Sequence, residues 1–234
     1  MNRYSPARRV ALAVIMLGTL AAAGACGSKS PGPEPASSVC SFSKVGRFST
    51  RDVGTPPVTA IPTTGTATMT VATNLGPITI QMDRTEAPCA AVSYAYLAGR
   101  HYFDGGTCNR LTTDEIYTLT CGDPKGGALG SGPTYGFAER TATVPSPGAE
   151  QTYTRGTVAL VNQGTPTSNG AEFFIIYKDS QLPAGAYPAF GKVVSGMDIV
   201  DKVAKSGVHQ ADPDASPSDG PSKITLTVTS LSIS

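Results

Sequence analysis

A chain of 234 residues is long enough for one sizeable hydrophobic core, or a core with a small appendage. Its 18 basic and 17 acidic residues nearly cancel, so there is no basic field to draw in nucleic acid. Beyond the first 25 residues, no apolar run approaches the roughly 20 residues that a membrane span needs.

Arg3, Arg8 and Arg9 precede an apolar run from Val10 to Leu20 and the small-residue stretch AAAGA, the layout of an export signal that is removed from the mature protein. Residues 1–25 resemble a bacterial lipoprotein signal. AAGAC ends on Cys26, which would become the acylated first residue and tie the protein to the outer face of the cell membrane. Ala23 stands where such boxes usually carry Leu, and a plain secretory signal cut near Ala25 is the alternative. Without residues 1–25 the chain keeps 15 basic and 17 acidic residues, a net charge of −2.

Residues 26–62, with SKSPGPEPASS and GTPPVTAIP, are too poor in large apolar side chains to fold alone and read as a flexible tether. Residues 63–234 read as the single folded domain. In an oxidising compartment Cys40, Cys89, Cys108 and Cys121 suggest two disulfides with three possible connectivities, free buried thiols being the alternative. No CxxC or Cys/His spacing points to zinc, His101 and His209 have no partner of metal-ligand spacing, and no cofactor is expected.

Order is expected from about Ala67. TMTVAT and ITIQM flank TNLG, with Ile78, Ile80 and Met82 on one face and Thr79 and Gln81 on the other, which predicts a half-buried hairpin. EAPCAAVSYAYLAGR predicts a helix with Pro88 in its first turn, an apolar stripe of Val92, Ala95 and Tyr96, and a stop at Gly99. In CNRLTTDEIYTLTCGDP, residues 108–124, two cysteines flank an apparent hairpin and Arg110 stands with no obvious acid, base or metal ligand beside it.

SGMDIVDKVAKSG predicts a second helix with Met197, Val200, Val203 and Ala204 on one side and Gly207 as its stop. The tail alternates through Ile224, Leu226 and Val228, then changes phase to Leu231 and Ile233, so a bulge is expected between them. DPDASPSDG, with two prolines and no terminal glutamate, reads as a solvated turn rather than a calcium loop. GGALGSG lacks the lysine and the following helix of a phosphate cradle.

From about Ala67 onward the order of motifs resembles the cyclophilins, the barrel family of peptidyl-prolyl isomerases. TNLGPITIQMD is followed by EAP, YFDG, Arg110, GDPKGGALGSGPTYGF, YTRGTVALVN, NGAEFFI and FGKVVSGMDIVDKV. LTT after Arg110 and the cysteines at 89, 108 and 121 look most like an exported actinobacterial subgroup. The resemblance implies a mainly β fold: a closed antiparallel barrel of about eight strands capped by two α-helices.

It also implies an isomerase without cofactor or metal, acting as a monomer on proline-containing segments of exported proteins. Rotation about an X-Pro bond faces a barrier of roughly 18–20 kcal/mol, because the amide nitrogen shares its lone pair with the carbonyl. A guanidinium that hydrogen-bonds the prolyl amide draws that lone pair out of conjugation, and Arg110 matches the family's catalytic arginine. Without the family, an arginine paired with an acid such as Asp114 would be the reading.

By the same resemblance Tyr117, Phe174 and Leu182 line the proline pocket, Asn162 offers backbone hydrogen bonds, Tyr187 closes the rim, and Thr120 and Glu172 complete the substrate surface, with Phe173 in the core. The chain departs from the family at Asn109 for histidine, Thr118 for methionine, Thr120 and Glu172 for glutamine, and Gln181 for tryptophan. Two extra residues also lie between Arg110 and GDP. These departures imply weak or narrow activity and poor binding of cyclosporin, and they keep open a module that binds proline-containing peptides without turnover. If the chain folds back as the family's hairpin does, Cys108 and Cys121 fall on neighbouring strands, with Cα atoms about 4.5–5.5 Å apart, leaving Cys40 to pair with Cys89.

Overall fold

Short alternating segments interrupted by two helical stretches build the architecture. The computed structural model describes residues 39–45, 51–108, 110–122, 124, 132–141, 148–209 and 218–234, all within a unit spanning Ser37–Ser234. Its first half holds β1 (Phe42–Lys44), β2 (Thr66–Thr73), β3 (Gly76–Asp83), α1 (Pro88–Ala98), β4 (Thr107–Cys108), β5 (Arg110–Thr112) and β6 (Thr118–Cys121). Then follow β7 (Tyr135–Phe137), β8 (Glu150–Tyr153), β9 (Thr157–Leu160), β10 (Phe173–Ile176), β11 (Ser180–Pro183), β12 (Ala189–Ser195), α2 (Met197–Ser206), β13 (Asp219–Gly220) and β14 (Leu226–Ile233). The proposed signal, Cys26 and Asn109 lie outside the described residues, among which no helix is long and apolar enough to cross a membrane.

Ten strands form one antiparallel sheet in the order β13-β5-β6-β10-β9-β12-β3-β2-β14-β4. Only residue 109 separates β4, at one end, from β5, next to the other end, so chain continuity forces the sheet to curl until its ends meet. With β4 and β5 taken as one broken strand and two-residue β13 set aside, eight strands make the wall. The Cys108–Cys121 disulfide, with Cα atoms 4.0 Å apart, crosses this seam from β4 to β6.

The alternation in β3 is realised directly: Ile78, Ile80 and Met82 are buried, and they meet Met69 and Val71 of β2 and Phe190 of β12 in the barrel core. The expected bulge in β14 is present as a register shift between Val228 and Ser230, and it turns both Val228 and Leu231 inward. On α2, Ile199, Val200 and Val203 are buried; Met197 and Ala204 pack at the edge of the core.

The helix α1 buries a different face from the expected stripe. Ala90, Ser93, Tyr94 and Leu97 are enclosed, Val92 and Tyr96 are half-buried, and Ala95 is exposed. The helix is apolar nearly all round, so periodicity carries no phase, and its flank is covered by the N-terminal arm. Tyr94 anchors the buried face, stacking on Phe190 at 5.0 Å and meeting Phe173 edge-on at 5.8 Å. No side chain of the preceding residue caps this helix. Instead the buried Glu139 carboxylate accepts from the Ala90 N–H at 2.7 Å and the Cys89 N–H at 3.5 Å.

The tether reading fails for residues 39–45 and 51–62. β1 pairs with β7, Phe42 sets its ring 5.5 Å from both Tyr135 and Phe137, and Cys40 is bonded to Cys89 in the first turn of α1. Arg51 donates to the carbonyls of His101, Tyr102 and Asp104, and the Tyr96 hydroxyl donates to the Val53 carbonyl. A segment too polar to fold alone is ordered here because β7, outside the ten-stranded sheet, supplies a strand to pair with and α1 supplies a covalent partner.

Candidate active site

The sequence FFII of β10 is buried at all four positions, because the strand has apolar neighbours on both faces. Phe173 and Ile175 point into the barrel core, whereas Phe174 and Ile176 join a second, outer cluster with Tyr153, Ala159 and Leu182. The β8–β11 ribbon covers part of this outer cluster. The uncovered part opens as a cleft of about 190 Å³ lined by Arg110, Thr112, Ile116, Thr118, Thr120, Val161, Asn162, Glu172, Phe174, Leu182 and Tyr187.

Strand register explains how distant residues meet. Arg110 pairs with Thr120, Thr120 with Phe174, and Phe174 with Ala159, so the four lie in one row across β5, β6, β10 and β9 on the same face. The Thr112 and Thr118 hydroxyls, 2.8 Å apart, lie one register step further on. Gly122, at φ 99°, ends β6 where a Cβ would come within 2.1 Å of the Ala171 carbonyl oxygen, which lets the chain run close beside Glu172.

Arg110 is held from one side. Its Nε donates to Asp219 Oδ1 at 2.9 Å and its Nη2 to Oδ2 at 2.8 Å, a bidentate pair. These hydrogen bonds raise the guanidinium pKa above its ordinary value against partial burial, helped by Asp219's own charge and those of Tyr187 and Glu172, and they hold the Asp219 carboxyl below the usual carboxylate range. Asp114 is not the partner. Asp219 comes from the stretch read as a solvated turn, whose last two residues instead pair with β5 as β13.

At the other end of the cleft the Asn162 side chain ties its own loop, donating to the Ala186 carbonyl and accepting from the Gly164 N–H at 3.1 Å. The main-chain N–H and C=O of Asn162 make no hydrogen bond to the described residues, which leaves a polar edge beside the apolar floor. Tyr187 meets Phe174 edge-on at 5.4 Å, and its carbonyl accepts from the Tyr153 hydroxyl at 2.7 Å. Glu172 is 8 % exposed, so a largely buried carboxyl group stands in the cleft wall with Thr118 and Thr120, beside the apolar floor of Phe174 and Leu182.

Residues 68–228 match the family model for cyclophilin type peptidyl-prolyl cis-trans isomerases. The chain belongs to the cyclophilin family. It is 35 % identical over 201 residues to a Mycobacterium leprae protein named probable peptidyl-prolyl cis-trans isomerase B, covering 82 % of this chain and 65 % of that one. A Mycobacterium tuberculosis protein of the same name is 38 % identical over 167 residues, 68 % of this chain and 52 % of that one. The matches thus span between half and two thirds of these relatives.

Among solved structures, a cyclophilin type isomerase of Cryptosporidium parvum superposes with a TM-score of 0.53 at 20 % identity, covering 73 % of this chain and 98 % of that one. The same protein has been crystallised in the presence of the dipeptide Ala-Pro. These neighbours share the cyclophilin fold.

Of the residues assigned by resemblance, Arg110, Thr120, Asn162, Glu172, Phe174, Leu182 and Tyr187 meet in a single cleft of this cyclophilin. Tyr117 does not line it. Ile116, Thr118 and Thr120 alternate onto the cleft face, so residue 117 takes the opposite phase, where its ring meets Tyr177 at 5.8 Å and lies under the Lys178 Nζ at 4.1 Å. Thr112, Ile116, Val161 and Asp219 were missed. Val161 stands inside the block YTRGTVALVN, next to Asn162, and is legible there. Asp219, 109 residues from Arg110, left no local signal. The disulfides Cys108–Cys121 and Cys40–Cys89 are those implied by the family hairpin.

Proposed function

We propose that this cyclophilin is a peptidyl-prolyl cis-trans isomerase of exported chains, held at the outer face of the cell membrane by acylated Cys26 once residues 1–25 are removed. The observation that carries the catalytic reading is the guanidinium of Arg110 in the wall of a cleft floored by Phe174, Leu182, Ile116 and Val161. A pyrrolidine ring on that floor gains by apolar burial, and the open main chain of Asn162 can pair with the peptide backbone. At about 190 Å³ the cleft suits one such ring with its flanking amides, and the Ala-Pro dipeptide used with the Cryptosporidium relative is the smallest ligand of that class.

No proton transfer or covalent intermediate is required. As the prolyl amide twists, its nitrogen becomes pyramidal and regains its lone pair, and a donor at that nitrogen binds the twisted state more tightly than the planar one. Arg110 is the donor on this reading. A protease-coupled isomerisation assay with a series of Xaa-Pro peptides tests it. Arg110→Ala is expected to lower kcat by about 10²–10³ with little change in peptide affinity and an unchanged circular dichroism spectrum. Wild-type turnover in that variant refutes the assignment.

A second reading is favoured by the Glu172 carboxylate and the hydroxyls of Thr118 and Thr120 in the same cleft. On that reading the protein holds proline-containing segments without useful turnover. A wild-type protein that binds the peptides but does not accelerate isomerisation selects it.

A further inference from the structure

On the isomerase reading, we propose that Asp219 is the positioning residue for Arg110, fixing one edge of the guanidinium so that its free end is presented to the bound X-Pro amide. A guanidinium carries five N–H donors. Asp219 takes one from Nε and one from Nη2, which leaves the second Nη2 hydrogen and both on Nη1. The Arg110 side chain has no other hydrogen-bond partner among the described residues, and it lines the cleft whereas Asp219 does not. The carboxylate therefore grips the arginine from behind and leaves its terminal edge for substrate.

The gripping residue is itself fixed. Asp219 pairs with Thr112 of β5, the strand that carries Arg110. Just before it, the Ser218 carbonyl accepts from the Thr113 N–H at 2.8 Å; just after it, the Pro221 carbonyl accepts from the His209 N–H at 2.6 Å. An arginine held by two parallel bonds to an anchored carboxylate has already lost most of its rotamer freedom, and so loses less when the twisted amide engages it. A second bidentate pair, Arg155 with Asp201 at 2.7 and 2.8 Å, lies outside the Arg110 cleft and serves as a control.

The test compares Asp219→Asn, Asp219→Glu and Asp201→Asn with the wild type for kcat, KM and thermal midpoint. Asp219→Asn keeps the shape but turns one fork contact donor to donor. Its kcat is expected to fall about tenfold with KM within about twofold of wild type, the signature of a group acting only in the transition state. Asp219→Glu is expected to recover part of the loss, and Asp201→Asn to keep wild-type kcat. On an Arg110→Ala background Asp219→Asn should lower the residual rate no further. Wild-type kcat in Asp219→Asn, or an equal loss on both backgrounds, overturns the proposal. Should the wild type show no turnover, the isomerase reading fails separately, and the Arg110 Nε–H resonance then decides. A slowly exchanging signal in the wild type that is lost in Asp219→Asn supports positioning; an unchanged signal overturns it.

Discussion

Replacing Cys108 and Cys121 together by alanine should separate stability from activity when set beside the same change at Cys40 and Cys89. All four are at most 2 % exposed, so alanine is preferred to serine, which would bury a hydroxyl. The bridged residues are 13 apart at the seam and 49 apart in the arm. Loop-closure entropy then gives about 3 kcal/mol for the seam and about 4 kcal/mol for the arm. At about 2–4 °C per kcal/mol for a domain of this size, the thermal midpoint falls by about 6–12 °C at the seam and about 8–16 °C in the arm.

Activity is expected in the opposite order. Cys121 adjoins Thr120, which is paired with Arg110, and Cys108 stands two residues before Arg110, so losing that bridge frees the strand that aims the guanidinium. The arm bridge reaches only α1. Urea denaturation followed by circular dichroism and the protease-coupled assay, both where the variants are folded, measure the two effects. A seam variant with wild-type kcat/KM, or an arm variant that is the less destabilised of the two, refutes the reasoning.

Glu172 acts through its charge on Arg110, which would restrain the guanidinium and favour a basic residue beside the proline. Glu172→Gln should therefore raise turnover on neutral peptides about three- to tenfold, equivalent to ~1 kcal/mol, and remove any preference for Lys or Arg there. Equal rates for variant and wild type across neutral and basic peptides would reject that role. Burial raises the Glu139 pKa, against hydrogen bonds from the N–H groups of Arg140, Ala90 and Cys89. Its folded value lies above the unfolded one, so its contribution to stability is complete below the unfolded carboxyl pKa and is lost as pH rises through the folded value. Unfolding free energies by urea between about pH 4 and 7 should decline less steeply for Glu139→Gln than for wild type, and parallel profiles would contradict the assignment.

The parts of this fold that show in the sequence are those where one strand face is buried and the other is not. Ile78, Ile80 and Met82 announce β3, and the phase break after Val228 announces the bulge in β14, because alternation has a period that burial enforces. The helix α1 gave a length but not a face, since an arm of the same chain covers the side that would otherwise be polar. Tyr117 falls on the face away from the cleft because the longer β5–β6 connection conceals where β6 begins, and a single step exchanges the two faces. Most of the cleft came through motif order. Asp219 could not, since the contact with Arg110 joins segments 109 residues apart and depends on a strand pairing of only two residues.

The arm's covalent attachment also fixes how the molecule carries load. The Cys40–Cys89 bond makes residues 40–89 a closed ring, with the β2–β3 hairpin inside it. A pull on the chain ahead of Cys40 passes through the sulfur atoms directly into the first turn of α1. The hairpin is left slack, and β2 cannot be peeled from β3 or β14 from that end. The mechanical attachment point of this barrel is therefore the helix seated on its core rather than the first strand of its wall.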